Sequence, residues 1–148
     1  MRLLSSLLLV LVAGLASPAT AQAPEDGIHR LVLYISEDNE AKMSSALDIA
    51  ANVSRHYSGI GELVEIEIVA FAGGLHMLRA DTSPVKQRMT SFQQSMVNVI
   101  FQACGNTLDT MERNEGKRPP LIEGVEMVQT GVAHLLQRSE EGWTLVRP

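Results

Sequence analysis

Cys104 is the single cysteine of a 148-residue chain, and it stands where an apolar run meets a helix-forming segment (VIFQACGNT, 99–107). Backbone N–H groups at a helix start carry partial positive charge, which stabilises a thiolate and lowers a cysteine's pKa. Gly105 leaves that backbone open to close approach by an anion or a second sulfur, and Asn106 and Thr107 add donors. Two readings follow. One is a nucleophilic or persulfide-carrying thiol. The other is a small buried apolar residue, the commonest fate of a free cysteine. A lone thiol in an exported protein risks oxidation or wrong pairing, a risk that Ala or Ser at an inert position would avoid. One cysteine also excludes an intrachain disulfide and a Cys-based zinc site.

Other chemistry-bearing residues are sparser. His29, His56, His76 and His134 have no metal-ligand spacing, so no metal is expected, and secretion of an unfolded chain disfavours a bulky cofactor, so none is expected either. His76 follows Gly73 and Gly74 closely enough to approach the same rim as a base. Ser36, Asp38 and His76 lack the G-x-S-x-G elbow of a hydrolase. Gly59-Ile60-Gly61 precedes a strand instead of following one, which rules out a dinucleotide loop. Arg79, Lys86 and Arg88 form either a solvated face or an anion-attracting rim. With 17 acidic against 12 basic residues, net charge −5, and no Lys/Arg run, no nucleic-acid partner is expected.

The elements that must position these residues alternate. Strands are expected at 30–36, 63–71, 97–103, 125–128 and 143–146. Helices are expected at 40–57, from a Ser83 cap and Pro84 to 95, at 105–114 and at 131–137, with a short turn at 75–80. In the first helix Met43, Leu47, Ala50, Val53 or Ser54, and Tyr57 trace one apolar stripe. In the second strand Val64, Ile66 and Ile68 alternate with Glu65 and Glu67, so part of that strand is expected to meet solvent. Strands separated by single helices require a parallel sheet with helices on both faces. Sites in such sheets gather beyond the strands' carboxyl ends. That rim comprises Ser36 and Asp38, Gly73, Gly74 and His76, Cys104 to Thr107, and Gln129 to Gly131.

The first 21 residues stand apart. Arg2, the apolar run Leu7 to Ala16 and the small residues Ala19-Thr20-Ala21 make the three parts of a secretory signal. Cleavage near Ala21 leaves 127 residues with net charge −6, the length of one domain. Residues 22–28 read as a flexible lead-in and 29–148 as the domain. The expected location is periplasmic, with no membrane association after cleavage.

Three segments, Glu65–Leu78 (EIEIVAFAGGLHML), Cys104–Leu108 (CGNTL) and Gly142–Pro148 (GWTLVRP), with the first strand and Asn52 in the helix after it, resemble the exported branch of the DsrE/DsrF-like family. The resemblance spans about 28–148. It implies a three-layer α/β/α sandwich with a five-stranded, mainly parallel sheet, and a homo-oligomer, trimeric or hexameric. Characterised intracellular relatives relay sulfane sulfur as a cysteine persulfide, and Cys104 matches the family cysteine after the third strand. The resemblance thus implies a sulfur carrier or sulfurtransferase, working with a donor or acceptor protein or a small sulfur compound. Gly105, Asn106, Thr107, Gly73, Gly74, His76 and Ser36 would line the site. The alternative is a non-catalytic oligomeric module for a small ligand or anion, with Cys104 structural.

Overall fold

The computed structural model describes residues 26–148; the expected signal peptide and residues 22–25 lie outside them. Five strands, β1 (Ile28–Ile35), β2 (Leu63–Ala70), β3 (Val99–Cys104), β4 (Glu126–Val128) and β5 (Thr144–Val146), form one all-parallel sheet in the order β4-β3-β2-β1-β5. Helices α1 (Glu40–Ile60), α2 (Lys86–Ser95), α3 (Gly105–Glu115) and α4 (Gly131–Glu140), with a 3-10 helix at Ala72–Leu78, connect them. This is the α/β architecture expected from the alternation of strands and helices.

The strand order dictates the layers. From β1 to β4 the chain steps across the sheet in one direction, so right-handed crossovers stack α1, α2 and α3 on one face. The step from β4 back to β5 runs the other way, which sends α4 to the opposite face. The larger core unites Leu31, Leu33, Ile66, Ile68, Phe101 and Ala103 with Met43, Leu47, Met89 and Leu108. The smaller one, under α4, joins Val32 and Val69 to Leu135, with Tyr34, Phe71 and Trp143 packed against it.

Local signals explain most boundaries. Asn39 Oδ1 accepts the Lys42 N–H at 3.1 Å and caps α1, while Gly61 ends it in the left-handed conformation at φ 75°. The apolar stripe of α1 is buried at Met43, Ala46, Leu47, Ala50 and Ser54. Gly59 lies within this helix, and an alanine methyl there would meet no heavy atom within 4 Å. Gly59→Ala should therefore stabilise the protein by about 0.5–1 kcal/mol, read as a higher denaturant midpoint at unchanged m-value.

Three expectations need correction. Helix α2 begins at Lys86, not at Pro84, because the Ser83 hydroxyl binds the Met77 carbonyl at 2.5 Å and accepts the Val85 N–H, closing a turn before the helix. Strand β3 begins at Val99, not at Val97. Asn98 Nδ2 is drawn aside to Ser54 Oγ at 2.9 Å and the Val64 carbonyl at 3.1 Å, and Val97 is left exposed. Glu67 faces α4 instead of solvent and is only 3% exposed, whereas Glu65 is exposed as expected.

Candidate functional site

The carboxyl edge of the sheet brings the expected rim together unevenly. Helix α3 leaves the end of β3 toward one face and α4 leaves the end of β4 toward the other, so the crevice of the sheet opens between these two neighbouring strands. Cys104 ends β3 and caps α3, inside that crevice.

Its sulfur stands at the start of α3, with no side-chain capping bond to it, and is contacted by the start of α4. The Gly131 N–H at the head of α4 donates to Sγ at 3.3 Å, and the thiol can donate to the Gln129 carbonyl at 3.9 Å. Burial pushes the thiol pKa up. The Thr107 hydroxyl, the Gly131 N–H and the N–H groups of Thr107 and Asn106 outweigh that and hold it below its ordinary value. The Asn106 N–H also donates to the Gln129 carbonyl at 3.0 Å. Thr107 Oγ1 accepts the Ala72 N–H at 3.0 Å, which leaves its own proton free for the sulfur. Cys104 is 5% exposed.

The β4–α4 connection is locked to α3 by side chains. Gln129 Nε2 donates to Asn106 Oδ1 at 2.8 Å, and Asn106 Nδ2 donates to Thr130 Oγ1 at 3.1 Å. Gly105 is packed on Gln129, where an added Cβ would lie 3.3 Å from Oε1. Gln129, Thr130 and Gly131 thus join Cys104, Gly105, Asn106 and Thr107 in one cluster.

Gly73, Gly74, His76 and Ser36 serve the β1 side of the rim. A Cβ on Gly73 would sit 2.9 Å from the Asp38 nitrogen, and one on Gly74 would overlap the Ile35 carbonyl. These glycines let the 3-10 helix seat on the end of β1; their close neighbours belong to β1 and its loop and not to Cys104. His76 Nδ1 is bound to Asp38 Oδ1 at 2.7 Å. Ser36 follows β1 directly, and β2 separates that strand from β3.

The cluster of basic residues does not form an anion-attracting rim. Arg79 is held by Asp81 and Glu115, Arg88 by Asp48, and Lys86 donates to the Ala80 carbonyl at 2.7 Å. The hydrogen bonds from Arg79 push the Asp81 carboxyl down to about 2. A depressed carboxyl pKa stabilises the fold above the unfolded value and loses that contribution as pH falls from about 4 to about 2. The Asp81 carboxyl resonance should therefore titrate near 2, and Arg79→Ala should return it to the ordinary carboxylate range. An unchanged midpoint in the variant would refute the pairing.

Sequence reasoning missed one group. Glu67 is bound by His134 Nε2 at 2.7 Å and by Arg138 Nη2 at 2.7 Å. The available signal was His134 and Arg138 four apart on one helix face, with a carboxylate in a strand otherwise turning apolar. Among the described residues, no group of three or more His, Cys, Asp or Glu is arranged to hold a metal.

Fold and site together define an all-parallel, five-stranded α/β protein with a thiol at the crevice of its sheet, bound by the N–H at the head of the neighbouring helix. The structure of MTH1491, a protein of unknown function from Methanobacterium thermoautotrophicum, is 34% identical, with a TM-score of 0.68. The match covers 81% of this chain and 99% of that one, and the chain belongs to the same family, whose fold is DsrE-like. BT1422 of Bacteroides thetaiotaomicron, also of unknown function, and the ychN protein of E. coli share the fold at 16% identity each. Their TM-scores are 0.55 and 0.56, over 87% and 81% of this chain and 100% and 99% of theirs. No known family profile matches the sequence, and no curated protein matches it.

Proposed function

We propose that the protein is a periplasmic sulfur carrier in which Cys104 takes up sulfane sulfur as a persulfide. The observation that supports this most is the Gly131 N–H at the head of α4, 3.3 Å from the sulfur of a cysteine that itself stands at the start of α3. Such donors stabilise an anion on sulfur, and a persulfide is anionic at neutral pH as a thiolate is. The chemistry balances without an oxidant. The Cys104 thiolate attacks the outer sulfur of thiosulfate, the S–S bond breaks with its electron pair on the departing group, and sulfite leaves. A polysulfide reacts in the same way and leaves one sulfur shorter.

The export signal in 1–21 supports the periplasmic assignment, and the family resemblance supports a trimeric or hexameric homo-oligomer that exchanges sulfur with a partner protein or a small sulfur compound. Intact-mass measurement after exposure to polysulfide or thiosulfate tests the chemistry. Wild type should gain mass in single-sulfur steps removable by a reductant; a protein that gains none is not a carrier.

The low exposure of Cys104 favours a second reading, a binding or interaction module in which the thiol is structural. Under that reading a thiol reagent modifies native Cys104 slowly and denatured Cys104 fast. Under the carrier reading the native thiol reacts at a rate at least comparable to the denatured one at neutral pH, because more of it is thiolate.

A further inference from the structure

Glu67 lies in the middle of β2 and is 3% exposed, so its charge must be matched by its partners. Both come from one face of α4. His134 Nε2 is 2.7 Å from Oε2, while Arg138 donates to Oε1 from Nη2 at 2.7 Å and from Nε at 3.1 Å. Arg138 also lies over the Trp143 ring, 4.9 Å from its centroid. The apolar seat of α4 sets Leu135 against Val32 and Val69, with Tyr34, Phe71, Trp143 and Leu145 packed around them. The carboxylate adds a polar anchor for this helix on the sheet beside that apolar seat.

The same helix begins at Gly131, whose N–H points at Cys104. Its fit there has little slack. An added Cβ would sit 3.2 Å from Phe71 Cβ and 3.3 Å from Cys104 Cβ. A helix is stiff over so short a span, so a displacement at His134 and Arg138 is carried to Gly131.

The geometry points to Glu67 as a positioning residue for the Cys104 thiol: by holding His134 and Arg138 against β2, it sets α4 so that the Gly131 N–H and the positive end of the helix meet Sγ. This rests on the reading of Cys104 as a reactive thiol, and not on what the thiol carries. Glu67 acts through α4 and takes no part in the chemistry.

The sign of the effect separates positioning from direct charge. Removing a carboxylate, and freeing His134 and Arg138 from it, would by Coulomb's law favour the thiolate and lower its pKa. Losing the Gly131 donor raises it. The charged groups around Glu67 besides its two partners, namely Arg30, Glu65 and Glu141, the last bound by Arg138 Nη1 at 2.6 Å, remain in place in a Glu67 variant.

The experiment is the pH dependence of Cys104 alkylation by iodoacetamide in the full chain. Glu67→Ala should raise the thiol pKa by about one unit, making alkylation about tenfold slower on the acid side of the profile. Glu65→Ala removes a neighbouring, exposed carboxylate of the same strand and should leave the profile unchanged. An unchanged or lowered pKa in Glu67→Ala overturns the proposal. If that variant does not fold, Glu67→Gln is read by the same sign, with circular dichroism to establish its fold. Gly131→Ala separates the role of Glu67 from that of the helix start. A rise there but none in the Glu67 variant overturns the anchor and leaves the thiolate reading standing. A wild-type pKa at the ordinary cysteine value overturns both.

Discussion

Cys104→Ser should abolish sulfur loading completely and leave the fold intact. The serine oxygen occupies nearly the place of the sulfur, and it can accept the Gly131 N–H that now reaches Sγ at 3.3 Å. The buried donor stays satisfied, so stability should change by no more than about 1 kcal/mol. Chemistry is lost because a serine hydroxyl without an adjacent general base is not ionised near neutral pH, and the persulfide bond needs a sulfur nucleophile. Cys104→Ala would lose the same chemistry and also strand the Gly131 N–H, at a cost of about 1–3 kcal/mol. Mass spectrometry of the serine variant after polysulfide treatment is decisive. Any sulfur ladder surviving in it would place the chemistry elsewhere.

Gly74→Ala should be the most damaging single methyl in the molecule's rim. The new Cβ would fall inside the carbonyl oxygen and carbon of Ile35 and lie 2.7 Å from Ile35 Cγ2. That carbonyl cannot yield cheaply, since Ile35 is 2% exposed and its oxygen accepts the Phe71 N–H at 3.0 Å. Gly74 itself donates to the Phe71 carbonyl at 3.0 Å, so the 3-10 helix cannot slide away without breaking a second bond. Overpacking against backbone costs on the order of 3 kcal/mol or more. Against a total stability of about 5–15 kcal/mol, this should lower Tm by roughly 10 °C. Gly73→Ala, whose Cβ would meet the Asp38 nitrogen at 2.9 Å on an exposed loop, should cost less. Equal melting temperatures for Gly74→Ala and wild type would refute this account of the turn.

Much of the fold was legible because periodicity and capping are local. The run LVLYI, the alternation through 63–70, the Asn39 cap and the Gly61 stop each act within a few residues. The misread positions answer to distant partners. Asn98 is claimed by Ser54 and Val64 across more than thirty residues. Glu67 looked like a solvent-facing strand residue because His134 and Arg138 lie about seventy residues away. Gly73 and Gly74 were assigned to the rim by their place after β2, yet their contacts are decided by how closely β1 approaches.

By itself the sequence determined an alternating α/β chain with one thiol at a strand-to-helix junction. These follow from residue spacing and from the chemistry of a helix start, which need no knowledge of neighbours. Only the tertiary structure decided that β4 lies beside β3, and that α3 and α4 leave these strands toward opposite faces. Strand order is set by which edge each crossover packs on, a competition between whole elements that leaves no mark on local periodicity. That order brings Gly131, twenty-seven residues further along, to 3.3 Å from Cys104 and turns a cysteine at one helix start into a thiol between two.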